Sequence, residues 1–187
     1  MTNPSRLFLF AGGNHGKWHV QSMNTIVGDP LPIVTHLEVY SESESVPETD
    51  LLWTLRGITS NERYVNQEEK KELTSKQEGL GRPQSTDAAL IPIRKKPEWW
   101  ALTQQERREI FEESSKHIQI GMKALPAIAR RLHHCRDLSS SEPFDFLTWF
   151  EFTPEETALF DQLLADLRAT PEWDFVNREI DIRLMRS

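Results

Sequence analysis

Cysteine is all but missing: Cys135 stands alone among 187 residues, so the chain can close no internal disulfide and cannot build a thiolate metal cluster by itself. That usage suits a reducing compartment. Long apolar runs are missing too. No stretch approaches the roughly 20 consecutive apolar residues of a membrane helix, and LFLFAGG near the start is too short and too quickly ended by glycine to serve as a signal peptide. The expectation is a cytoplasmic chain with no membrane partner. Basic residues are outnumbered, 22 against 29 acidic ones for a net charge of −7, which excludes the basic face that an extended nucleic-acid contact needs. The same field repels small anions, so an enzyme acting on one must concentrate positive charge locally. Adjacent Arg130 and Arg131 offer such a place. There is neither a glycine-rich phosphate loop nor a serine elbow.

What is present reads as strands alternating with helices. Arg6 to Ala11 and Trp18 to Val27 have strand composition around a turn at Gly12 to Gly16, and Ile33 to Tyr40 resumes the extended pattern after Pro30 and Pro32. SESESVPETD, residues 41 to 50, is a solvated loop. Leu51 to Thr59 is a strand, Asn66 to Gln77 a charged helix, and Ala88 to Ile93 a further strand. Phe144 to Phe152 follows as a strand. Thr153-Pro154-Glu155-Glu156 has the form of a capping box ahead of an apolar stripe, Leu159, Phe160, Leu163, Leu164 and Leu167. In the last strand Ile180, Ile182 and Leu184 alternate with Glu179, Asp181 and Arg183, which predicts one buried and one wet face. Each half repeats strand, helix, strand, so an α+β body of two similar lobes is expected.

Between the halves lies TQQERREIFEESSKHIQIGMKALPAIARRLHHCRD, residues 103 to 137. Thr103 with Glu106 has capping-box spacing, and Pro126 ends a helix, so one long helix is predicted from Thr103 to about Ala124 or Leu125. On it Ile110, Ser114, His117 and Gly121 would share a face, leaving open space around the imidazole. Such a histidine is a core or surface residue, or the ligand of a flat, bulky group such as haem. After it comes a strand opening with Arg130 and Arg131, only one of which can face a given side. His133, His134 and Cys135 are consecutive strand residues and cannot converge on one metal ion, and His15 and His19 lack helical spacing.

The run SSKHIQIGMKALPAIARRLHHCRDL, with WTLRGITSNERYV, ALIPIRKKPEWWALT, FDFLTWFEFTPEE and REIDIRLMR, resembles the short form of the chlorite dismutase family over most of the chain from Trp53 onward. The resemblance implies two ferredoxin-like lobes, about residues 1–100 and 101–187, fused into one barrel-like antiparallel sheet with helices outside, in a single domain spanning residues 1–187. It implies one haem b per chain, a homodimer, and conversion of chlorite to chloride and dioxygen as a detoxification. His117 becomes the axial iron ligand, and its second ring nitrogen should meet a glutamate, assigned to Glu172 with Glu179 and Glu151 as alternatives. Arg130, thirteen residues after His117, corresponds to the distal arginine, with Gln77 expected to hydrogen-bond it. Lys95 and Trp99 match contacts to the haem propionates and edge, and Tyr64 could reach a propionate. Competing readings are a haem peroxidase, a coproporphyrin-haem decarboxylase, which characteristically lacks the distal arginine, and a non-catalytic haem sensor or carrier.

Overall fold

Eight antiparallel strands close into a barrel in the order β1-β3-β2-β8-β5-β7-β6-β4, with β4 returning to β1. They are β1 (Leu7–Gly13), β2 (Trp18–Val27), β3 (His36–Ser41), β4 (Leu51–Thr59), β5 (Asp87–Lys95), β6 (Ala129–His134), β7 (Phe146–Phe152) and β8 (Val176–Arg186). This computed structural model describes residues 6–47, 50–59 and 64–187. Residues 1–5 of the expected first lobe, 48 and 49 of the acidic loop and 60–63 of the WTLRGITSNERYV run lie outside the described residues.

The barrel order resolves into two quartets, β4-β1-β3-β2 and β8-β5-β7-β6, each with the 4-1-3-2 arrangement of a ferredoxin-like unit. β5 pairs with β8 and β7, so the second quartet begins at Asp87, and the boundary expected near residue 100 falls inside it. The reason is hydrogen bonding across the sheet, which sequence order does not reveal.

Alternation along the strands sends one set of side chains into the barrel, where Phe10, Trp18, Leu37, Leu55, Leu90, Trp149 and Ile182 form the inner core. Gly12 is required there, since a Cβ would lie 2.3 Å from the Trp53 indole. The outer face of the second quartet carries a second core, in which Ile91, Phe150 and Phe152 pack against Phe160 and Leu164 of α5 (Thr157–Arg168). That helix buries Phe160, Leu163, Leu164 and Leu167, each worth about 1.5–3 kcal/mol over exposure, so packing holds it in place. By contrast α1 (Gln67–Lys76) buries only Leu73 and depends on the Asn66–Glu69 capping box and the Glu69–Arg108 ion pair.

Three sequence expectations fail locally. Thr153 makes no side-chain cap bond; a 3-10 turn, Pro154–Glu156, leads into α5 instead. The last strand is not half wet. Glu179 and Asp181 lie buried beneath α5, whose Arg168 bonds both carboxylates. The long helix is broken: α3 (Gln104–Arg108) starts at the predicted Thr103 cap, widens into a π-helical turn, Glu109–Ser114, and stops. Lys116 then takes a left-handed conformation, φ 55° and ψ 33°, and α4 (His117–Lys123) starts afresh on a new axis. Ile110 and Ser114 therefore do not continue the helical face that carries His117 and Gly121.

Candidate functional site

The π-helical turn places three side chains that a regular helix would scatter. Phe111 precedes His117 by six residues, which in an unbroken helix is about 240° around and roughly 9 Å along the axis. Here the two rings stack, with centroids 4.2 Å apart and planes inclined by 23°. Glu112 is buried and its Oε2 accepts the Ile118 amide at 2.7 Å, capping α4. Ser115 Oγ accepts the amide of Glu172 at 2.9 Å, tying the histidine segment to the 3-10 turn Pro171–Phe175.

Across that tie, His117 Nδ1 and Glu172 Oε2 are 2.6 Å apart. An ionised carboxylate only accepts, so Nδ1 carries the proton, and Nε2 is the ring nitrogen left for a ligand. The other oxygen of Glu172 receives the ammonium of Lys95 at 2.7 Å, and both side chains are buried. Burial pushes the Glu172 carboxyl up, but His117 and Lys95 outweigh it and hold its pKa at about 2. Burial pulls Lys95 below the usual lysine value against the attraction of Glu172. Removing one partner of such a buried pair typically costs about 3–5 kcal/mol, because the other charge is stranded.

Facing these groups is a cavity of about 310 Å³ whose walls include His117, Trp99, Phe111, Arg130, Ile91 and Phe150. Arg130 pairs with Phe150 in the sheet and reaches the helix side, where a Cβ on Gly121 would come within 2.8 Å of its Nη1. Arg131 takes the opposite face, its guanidinium 3.7 Å from the Phe8 ring centroid and its Nε donating to His133 inside the barrel. Trp99 is buried in the cavity wall, and its indole N–H has no partner among the described residues.

Several expectations about individual contacts change. Lys95 donates to Glu172 and stacks 4.4 Å over Trp99 in the wall of the cavity. Gln77 donates to Arg130 at 2.9 Å, as expected, with the backbone carbonyl as acceptor, so the bond holds the strand. Tyr64 lies edge-on to Trp99, 6.3 Å between centroids, and its hydroxyl accepts a long 3.4 Å bond from Arg107. Of the three carboxylates weighed for His117, Glu179 is engaged by Arg168 and by the Trp173 indole, while Glu151 is held by Trp149 and the Gly81 amide. Sequence reasoning missed Phe111, Glu112, Ser115 and Trp173. The one signal was Ser114-Ser115 within the supposed helix, since serine competes for backbone bonds and breaks helices.

Fold and site together define an α+β barrel protein that presents one carboxylate-bound imidazole to a largely apolar cavity that an arginine also lines. The family model for chlorite dismutase matches residues 39–186, and the chain belongs to the chlorite dismutase family. It is 50% identical to a dimeric chlorite dismutase from Nitrobacter winogradskyi of known crystal structure, with a TM-score of 0.88 over 96% of this chain and 99% of that one. Chlorite dismutase from Candidatus Nitrospira defluvii in complex with imidazole shares the fold at 20% identity, with a TM-score of 0.69 over 99% of this chain and 93% of that one. Chlorite dismutase of Ideonella dechloratans is 29% identical over 129 residues, which are 66% of this chain but only 41% of that relative's length.

Proposed function

We propose that this protein is a haem b enzyme that converts chlorite to chloride and dioxygen, with residues 7–186 forming one haem-binding domain that works as a homodimer. The observation that carries the reading is the His117–Glu172–Lys95 chain at the wall of an apolar cavity that Arg130 also lines. The residues fit the group. His117 offers Nε2, Gly121 adds no side chain beside Arg130, and Trp99 offers a buried donor that lacks an acceptor among the described residues.

When bound, the haem supplies the redox-active iron at which the chlorine–oxygen bond of chlorite is broken. His117 would hold it through Nε2. Glu172, ionised by its two cationic or proton-donating neighbours, accepts the Nδ1 proton, fixes the tautomer and makes the imidazole a stronger donor. Lys95 keeps that carboxylate charged although it is buried. Arg130 stays protonated at any accessible pH, so it does no acid or base work. It would bind the chlorite anion and hold the chlorine-bearing fragment against loss to solvent. Gln77 anchors the strand carbonyl behind Arg130. Tyr64 and Trp99 line the edge of the haem pocket.

Haemin-reconstituted protein given chlorite in an oxygen electrode should release about one dioxygen per chlorite over many turnovers. Haem bleaching in proportion to chlorite, with no oxygen, would identify a carrier or sensor instead.

A further inference from the structure

Glu179 is buried in the last strand and does not line the cavity, yet one of its side-chain bonds leads back to the histidine site. Its Oε1 receives Nε and Nη2 of Arg168 at 2.9 and 2.7 Å, and its Oε2 receives the Trp173 indole at 2.8 Å. Trp173 directly follows Glu172 in the 3-10 turn Pro171–Phe175. Its ring lies nearly parallel to the His117 imidazole, 6.4 Å away at 24°, on a site whose other stacking partner is Phe111. The Lys95 ammonium sits 5.6 Å over the same indole. Phe175 of this turn packs on Trp99 and Trp173 on the second core, and its polar ties include the Ser115 bond at Glu172, the Lys96 bond to Phe175 and the Glu179 bond at Trp173.

We infer that Glu179 is a positioning residue: by clamping the Trp173 indole from the floor of the sheet, it sets the height and tilt of the turn that delivers Glu172 to His117. This rests on the reading of His117 and Glu172 as the haem-side pair. Asp181 supplies the internal control, because it is equally buried and bonds the same Arg168 but makes no contact with the turn.

The experiment compares Glu179→Gln, Trp173→Phe and Asp181→Asn, with Glu172→Gln as reference. In apo-protein, backbone amide exchange is followed by mass spectrometry or NMR over residues 171–175. Trp173→Phe and Glu179→Gln should speed exchange there at least tenfold while the β5 and β7 amides keep wild-type protection, and Asp181→Asn should leave the turn unchanged. After haemin reconstitution, the first two variants should raise the iron reduction potential in the same direction as Glu172→Gln and by less, with Asp181→Asn at the wild-type value. Equal effects from Asp181→Asn, or wild-type exchange in Trp173→Phe, would overturn the inference. If wild-type protein fails to bind haemin, the haem reading falls, and the apo exchange still decides the role of Glu179. Should Glu179→Gln not fold, Trp173→Phe carries the test, since it removes the donor end of the clamp while keeping an aromatic ring in the turn.

Discussion

Arg130 and Gly121 meet across the cavity because strand alternation sends Arg130 to the helix side and α4 offers no side chain where the guanidinium arrives. Removing one preorganised charge donor typically costs about 10² to 10³ in rate. An arginine on a flexible stem is less rigid than a backbone amide, so Arg130→Ala should lose a hundredfold or less in kcat/KM for chlorite. Its sharper signature is leakage. With methionine present to scavenge hypochlorite, the variant should survive more turnovers than without it, by a larger factor than wild type does. Equal protection of both proteins, with unchanged oxygen yield, would take Arg130 out of that role. Arg131 is no substitute, since its half-buried side chain is engaged by Phe8 and His133. Which of the two neighbouring arginines faces the cavity is a parity that the adjacent codons leave open and the sheet register decides.

The segment from Thr103 to Lys123 carries the largest departure from the sequence pattern. The Thr103–Glu106 capping box and the stop ahead of Pro126 were both legible, because caps and proline act through neighbouring residues. The break in the middle was not, because Phe111, Glu112 and Ser115 earn their places through His117, Ile118 and Glu172, two of which lie across the break and one 57 residues further on. The strain of the break sits at Lys116, a non-glycine residue at φ 55°. A left-handed residue with a Cβ costs roughly 1–2 kcal/mol, and glycine returns part of that gain as unfolded-state entropy. Lys116→Gly should therefore stabilise the apo-protein by about 1 kcal/mol, a rise of roughly 2–4 °C in Tm for a chain of this size. Lys116→Ala keeps the Cβ and should gain nothing. Equal melting temperatures for the glycine and alanine variants would show that the conformation carries no strain.

At the scale of the whole barrel, His133 reports on closure. It is fully buried, its Nδ1 donates to the Leu147 carbonyl and its Nε2 accepts from Arg131, so only the neutral ring satisfies both bonds. Burial lowers its pKa from 6.5 to about 4, with Arg131 and His134 adding to the effect and the Leu147 bond opposing it. Below pH 6.5 the unfolded chain takes up a proton that the folded one refuses, so stability falls with pH until about 4, by roughly 3 kcal/mol in all. His133→Gln should be less stable than wild type at pH 7 in urea denaturation, and the gap should narrow by about 2 kcal/mol at pH 5. A gap that stays constant between those pH values would assign the pH dependence elsewhere.

By itself the sequence determined which segments are strands and helices, that they form an α+β body, and, through its motifs, the family. These depend on side-chain periodicity, caps and breakers that act over a few residues. Tertiary structure alone decided that β5 belongs to the second quartet, that Lys95 stands behind Glu172, and that Glu179 and Asp181 are buried beneath α5. Each of those facts is a pairing between residues far apart in the chain, set by sheet register and by which helix covers which face. A charged side chain on a strand reads as solvent-facing until the arginine that neutralises it, here Arg168, is brought over it by the fold.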